Sequence, residues 1–236
     1  MKMFKTVPMR SLFVLLGLIA AIEMLLMLTL NAALEEANYL NWVRATCDAV
    51  LLAVICVPLL YNYQFRPLQM AYHDHLTGLP NRLLLDDRLE LALIVAKREK
   101  KNCAVIYLDM DRFKPVNDTY GHRVGDAILK QVSERVRGCV RESDTVARIR
   151  GDEFIVLLTS IGEASVAERV VQKIVVELTR PFDVNGKNIE LGVSAGIALY
   201  PKHGKDGIAL LDAADDAMYC AKNDSEANYC FASKEV

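Results

Sequence analysis

The sequence has almost no net charge, no closely paired cysteines and no phosphate-binding glycine loop, and each absence removes a class of function. Across 236 residues, 28 lysines and arginines nearly cancel 30 aspartates and glutamates, leaving a formal charge of −2. A nucleic-acid binder needs a concentrated basic face, so nucleic acid is not expected as a partner. The six cysteines (Cys47, Cys56, Cys103, Cys139, Cys220 and Cys230) contain no C-x-x-C pair. That scatter argues against a zinc site or a disulfide scaffold and fits free packing thiols in a reducing compartment. No G-x-x-x-x-G-K-[ST] occurs, which excludes a P-loop. Internal repeats and low-complexity stretches are absent as well.

What is present divides the chain in two. Residues 11–30 are apolar except for Glu23 and two hydroxyls, and about twenty such residues match the hydrocarbon thickness of a bilayer. A second run, about 45–63, carries Asp48 and Pro58 and exits through Tyr61, Tyr63 and Phe65, which suit a membrane–water interface. Lys2, Lys5 and Arg10 precede the first run and Arg66 follows the second, while the loop between offers Arg44 against Glu35 and Glu36. This bias puts both ends in the cytoplasm and a short loop outside, too short for a recognisable sensor domain. Residues 1–65 are therefore expected to be a membrane region with transmembrane helices at about 11–30 and 45–63. A cleaved signal peptide and a packed helical hairpin are the other readings. The length of the first run and the presence of a second favour two spans.

From residue 66 onward the hydropathy is that of a globular domain, with 66–74 as a connector. Apolar periodicity predicts a helix over 83–100, with Leu84, Leu85, Leu89, Leu91, Leu93 and Ile94 on one stripe. A buried strand follows at 103–108, then a helix at 125–140. A hairpin at 145–158 turns on Arg150-Gly151-Asp152. Beyond it come a helix ending before Pro181, a strand over 189–200, a helix over 208–222 and an edge strand at 228–231. The central β-α-β-β-α-β order predicts an α+β, ferredoxin-like antiparallel sheet flanked by helices, preceded by the two transmembrane helices.

Acidic residues stand where strands end. Asp109 and Asp111 close the first strand, and Asp152 and Glu153 occupy the hairpin turn. If those strands are neighbours, their carboxylates form a hard-oxygen site suited to Mg²⁺, which keeps waters and phosphate oxygens as further ligands. The alternative is that turns are simply rich in aspartate. Lys114 is placed to neutralise phosphate charge. Asn117, Gly121 and Gly125 read as a flexible polar loop.

Five stretches in order resemble the GGDEF family: Asp74-His75-Leu76-Thr77-Gly78-Leu79-Pro80-Asn81-Arg82; Tyr107 to Lys114 with Asn117-Asp118 and Gly121-His122; Arg150-Gly151-Asp152-Glu153-Phe154; Ser194 to Ala198 with Tyr200-Pro201; and Ala214 to Tyr219 with Ala221-Lys222. The resemblance covers about 72–231, and residues 75–236 are expected to form the GGDEF domain. It implies a palm-type fold and a diguanylate cyclase that condenses two GTP into cyclic di-GMP and two pyrophosphates as a homodimer. It implies two Mg²⁺ per active site, with Mn²⁺ as a substitute, held by Asp109, the Met110 carbonyl, Asp152 and Glu153. Asp152 is implied as the proton acceptor, with Glu153 supporting the metals. Lys114 is implied for phosphate charge, and Asn117, His122, Asp126 and Lys222 for substrate binding. Arg141 and Asp144 stand at the family's R-x-x-D product-inhibition motif. The resemblance also implies a multi-pass protein of the bacterial cytoplasmic (inner) membrane, with its GGDEF domain in the cytoplasm.

Two positions depart from the pattern. Arg150 replaces the first glycine of the eponymous motif, and Glu226 stands where an arginine is usual. The first is expected to crowd the nucleotide or reach a phosphate, the second to weaken GTP binding. They keep open a catalytically degenerate module that binds GTP or cyclic di-GMP as a receptor.

Overall fold

Eight consecutive buried residues, 103–110, make β1 (Asn102–Asp111) the centre of the architecture. The computed structural model describes residues 71–224 and 227–233, with positions 21, 22, 25, 46, 50–52, 54 and 56. The chain divides into two compact units, Met1–Leu68 and Gln69–Val236. In the first, the described positions are helical. The two expected spans otherwise lie outside the described residues, among which no helix is long and apolar enough to cross a membrane. Glu226 and residues 66–70 of the connector also lie outside them.

The second unit runs α1 (Arg82–Glu99), β1, α2 (Phe113–Tyr120), α3 (His122–Arg137), β2 (Thr145–Arg150), β3 (Glu153–Ile161) and α4 (Ala164–Leu178). It continues through β4 (Phe182–Val184), β5 (Lys187–Ile189), β6 (Gly192–Tyr200), α5 (Gly207–Asn223) and β7 (Tyr229–Phe231). The main sheet has the order β2-β3-β1-β6-β7, and β4 with β5 forms a separate two-stranded ribbon. β1 pairs antiparallel with β3 on one side and β6 on the other. This is an α+β, palm-like sheet flanked by helices, with one correction: β7 lies parallel to β6, so the sheet is mixed.

Alternation along β1 assigns the layers. Ile106, Leu108 and Met110 pack with Ile128 and Val132 of α3 and Ile174 of α4. Val105 and Tyr107 pack on the other face with Leu85 and Leu89 of α1 and Leu211 and Met218 of α5. Covering both faces is what turns the strand into a continuous apolar run. On α1 the buried line is Leu85, Leu89 and Ala96, so Leu91 and Ile94 fall off the core stripe and are exposed.

Other boundaries shift for local reasons. β1 continues through Asp109 to Asp111 because β3 and β6 pair with it there. The expected loop at 117–125 is instead two helices meeting at Gly121, whose φ of 83° makes the bend that α2 and α3 require. α3 begins at His122, three residues before the expected start. The expected strand over 189–200 is broken, with β5 ending at Ile189 and β6 beginning at Gly192.

Helix α5 lies so close to the sheet that a Cβ on Gly196 would come 2.0 Å from the Ala214 carbonyl oxygen and 2.2 Å from the Met218 amide nitrogen. Backbone atoms cannot yield as a flexible side chain can. Gly196→Ala is expected to lower stability by about 1–3 kcal/mol through overpacking, measured by thermal or urea unfolding. A neutral change would mean that α5 can lift off the sheet freely.

Candidate functional site

The strand ends gather the acids by register. Asp109 stands opposite Glu153 of β3 and Ser194 of β6. Asp152 lies in the two-residue turn between β2 and β3, where Gly151 adopts a φ of 49°. Asp109 is only 9% exposed, and a carboxylate so placed needs a counter-charge. Lys222, in the last turn of α5, supplies it: Nζ donates to Asp109 Oδ1 at 2.6 Å. That bond, helped by the charges of Asp109, Asp111 and Asp152, outweighs burial and holds the lysine ammonium above its ordinary pKa. Burial first, and the nearby Asp109 charge as well, push the Asp152 carboxyl above its usual range despite Lys222. Asp109 and Asp152 therefore share one electrostatic site.

This donor set fits a hard divalent cation. It offers two carboxylates beside the Met110 backbone and leaves room for waters and phosphate oxygens. Among the described residues no three or more carboxylate, imidazole or thiol groups converge on one point, so it is not a closed protein cage. Glu153 does not complete one. Its Oε1 accepts from Arg150 Nε at 2.9 Å and its Oε2 accepts from the Tyr107 hydroxyl at 2.6 Å. Burial, then this bond to Glu153, raises the Tyr107 pKa. Arg150 thus turns to a neighbouring carboxylate in this structure, where the sequence left it either to crowd the nucleotide or to reach a phosphate. Asp215 of α5 stands close by; burial first, then the Glu153 charge, raises its pKa.

Asp111 accepts from the Ser194 hydroxyl at 2.8 Å. The chain then leaves β1 through Arg112, whose φ of 57° reverses it sharply into α2. Lys114 follows in the first turn, exposed and without an ion pair among the described residues. Asn117 sits in α2 against Gly125 of α3, where a Cβ would approach its Oδ1 to 2.0 Å. Only glycine lets the amide take that position. Asp126 and His122 are exposed on α3. The α2–α3 pair thus carries Asn117, His122 and Asp126 as one polar unit after β1.

Arg141 and Asp144 do not pair through their side chains. Asp144 Oδ2 accepts from the Arg141 amide at 3.1 Å and Oδ1 from the Thr159 amide at 3.1 Å. Both residues line a pocket of about 320 Å³ that includes His73, Arg88 and Arg137. The Arg141 side chain is exposed and unpaired among the described residues.

Sequence reasoning missed the device that fixes the hairpin. Arg148 donates to the Gly151 carbonyl through Nε and Nη2, at 2.9 and 2.7 Å, and to Asp74 Oδ1 through Nη1 at 2.9 Å. Its amide donates to the Pro80 carbonyl at 2.9 Å. One side chain therefore ties the segment before α1 to the turn that presents Asp152. The signal was available: Arg148 lies two residues from Arg150 on a strand with an otherwise apolar start, and a cation there needs an acid.

A family model described as diguanylate cyclase, GGDEF domain, matches residues 71–228. The chain is 45% identical over 164 residues to the bifunctional diguanylate cyclase/cyclic di-GMP phosphodiesterase MucR of Pseudomonas aeruginosa, covering 70% of this chain and 24% of that protein. It is 44% identical over 153 residues to the diguanylate cyclase TpbB of the same species, covering 64% of this chain and 35% of that one. The cyclic di-GMP phosphodiesterase PdeR of Escherichia coli is 38% identical over 167 residues, or 71% of this chain and 25% of PdeR. The chain thus spans about a quarter to a third of the length of these relatives. Among solved structures, the GGDEF domain of TpbB superposes with a TM-score of 0.66 at 40% identity, over 67% of this chain and 99% of that one. The coiled coil and GGDEF domain of DgcB from Caulobacter crescentus, in complex with c-di-GMP, gives 0.68 at 28% identity, over 78% and 97%.

Two outcomes test this geometry. Burial alone would raise the Asp74 pKa, but the Thr77 hydroxyl and amide together with Arg148 outweigh it and hold the carboxyl below its ordinary 3.8. A depressed acid contributes stability that is complete above about pH 4 and lost as pH falls further. Asp74→Asn is expected to cost about 1–3 kcal/mol at pH 7 and to flatten the acid limb in urea unfolding. An unchanged acid limb would contradict the link. For the second, Arg150→Gly frees Glu153 Oε1, and Mn²⁺ affinity of the nucleotide-free protein, read by electron paramagnetic resonance, is expected to tighten about threefold or more as a donor is added. Unaltered affinity would make Arg150 a bystander.

Proposed function

The chain belongs to the GGDEF family of diguanylate cyclase domains, and from that premise we propose that it condenses two GTP into cyclic di-GMP and two pyrophosphates. The observation that carries the reading is Asp109 opposite Glu153 at the end of β1, with Lys222 on it and Asp152 in the adjoining turn feeling its charge. Asp109, the Met110 carbonyl and Asp152 would hold Mg²⁺, or Mn²⁺ in its place. When bound, the metal polarises the α-phosphate and makes the ribose 3′-hydroxyl a better nucleophile.

The chain's own groups do the rest. Asp152, whose pKa is raised by burial and by Asp109, takes the proton from the 3′-hydroxyl as its oxygen bonds to phosphorus. Lys114 meets the phosphate charge with its unpaired ammonium, and Lys222 adds a second cation beside the same acids. Asn117 and Asp126 hydrogen-bond guanine from α2 and α3. Asp126 accepts from guanine N–H groups that adenine lacks, which selects GTP over ATP. His122 positions the nucleotide between them.

Each domain takes one GTP, so the two 3′-oxygens attack opposing α-phosphorus atoms only when two domains face one another. Proximity in a homodimer supplies the rate. Two helices within 1–65 anchor the protein in the bacterial cytoplasmic membrane, a connector at 66–74 follows, and the catalytic domain faces the cytoplasm. Product returning to Arg141 and Asp144 limits synthesis.

One feature favours a second reading. Glu153 is already held by Arg150 and Tyr107, which is the arrangement expected of a receptor that binds nucleotide without turning it over. Purified full-length chain with GTP and Mg²⁺ separates the two. A cyclase forms cyclic di-GMP, and Asp152→Ala lowers the rate by about a hundredfold or more. No product from the parent chain, with nucleotide binding retained, would establish the receptor.

A further inference from the structure

Cysteines scattered along the sequence read as packing residues, and Cys103 and Cys139 are indeed buried. Cys220 is not: it is exposed near the end of α5 and contributes little to a core. β7 runs parallel to β6 with Cys230 opposite Gly196, the residue whose missing side chain lets α5 lie against the sheet. The Tyr229 hydroxyl donates to Glu168 and accepts from the Gln172 amide, both of α4 on the far face. Strand alternation therefore turns Cys230 toward α5. α5 packs against β7 as well as β6, and Cys220 is the thiol near enough to Cys230 to raise its pKa after burial.

We propose that Cys220 and Cys230 form an oxidation site at which a peroxide joins them in an intrachain disulfide, restraining the end of α5 that delivers Lys222 to Asp109. The exposed Cys220 is the member a small oxidant meets. Its sulfur attacks one peroxide oxygen, the O–O bond breaks, and sulfenic acid and one water form. The Cys230 sulfur then bonds to the sulfenic sulfur, and the departing hydroxyl leaves with the Cys230 proton as a second water. Two thiols lose two hydrogens and two electrons, and hydrogen peroxide becomes two waters. A small thiol reverses the bond by exchange. Burial, then Cys220 itself, pushes the Cys230 thiol up to about 11, so it stays protonated and serves as the resolving partner.

The consequence for function rests on Asp109 and Asp152 being the nucleotide site, while the disulfide itself does not. Lys222 lies two residues past Cys220 with its Nζ 2.6 Å from Asp109. A bond between Cys220 and Cys230 ties the last turn of α5 to β7. Lys222 then stays on the carboxylate and is less able to turn toward an incoming phosphate.

Trypsin gives a direct test, because it cuts after Lys222, between the two cysteines. Full-length chain is treated with hydrogen peroxide, blocked with N-ethylmaleimide and digested without reductant. The expected product is peptide 206–222 joined to 223–234, two hydrogens lighter than the pair, lost on adding dithiothreitol and absent from Cys230→Ser. Separate peptides with Cys220 oxidised irreversibly would overturn the site, whether or not the chain binds GTP. A fluorescent GTP analogue is then titrated against oxidised and reduced chain. Binding weaker by about threefold or more after oxidation, restored by dithiothreitol and insensitive in Cys230→Ser, supports the link to Lys222. Equal binding by both forms would overturn that link and leave only the disulfide.

Discussion

A carboxylate nearly buried at the end of a central strand must have a cation, and that requirement organises the active end of the domain. Asp109 sits between β3 and β6, with apolar side chains behind it on β1. Lys222 answers it from 113 residues away in sequence, which obliges α5 to lie along the sheet. The glycine at 196 makes that approach sterically possible. Charge placement, helix docking and a small residue on β6 are thus one constraint seen from three elements. The same ion pair keeps two neighbouring acids from destabilising the fold before any metal or nucleotide arrives.

A second fixed point holds the opposite wall. Arg148 binds the Gly151 carbonyl and Asp74 together, so the turn carrying Asp152 is tied to the segment that starts α1. Whatever moves the chain before α1 therefore acts close to the hairpin. Arg150, two residues further on, points at Glu153 and removes one oxygen of that acid from the site. The departure from glycine at position 150 changes which acids remain free, without disturbing the strand pairing that brings Asp109 to Glu153.

Much of this was legible in the sequence because it depends on local periodicity. The hydrophobic runs gave α1, β2, β3, α4 and α5 within a few residues, while α2 was read as loop and the 189–200 strand proved broken. Acids at strand ends marked Asp109 and the Asp152 turn as neighbours. What was not legible depends on contacts distant in the chain or on backbone shape. Asn117, Gly121 and Gly125 read as a loop because two glycines and polar residues resemble one. In the fold, Gly121 makes the bend between two helices and Gly125 makes room for Asn117. The parallel course of β7 follows from its return beside β6 after α5, which no short-range pattern encodes. The roles of Tyr107, Arg148 and Lys222 were hidden because each partner lies on another element. Cys220 and Cys230 read as packing residues because their spacing does not show that one is exposed and the other only partly buried.

The central claim is that Asp109 and Asp152 jointly receive the metal and triphosphate of a guanine nucleotide. Its most direct test is a crystal structure of the protein with Mg²⁺ and a non-hydrolysable GTP analogue. The account predicts metal density at Asp109 and Asp152, with guanine against Asn117 and Asp126. Nucleotide bound elsewhere, with Lys222 still on an Asp109 that touches no metal, would contradict it.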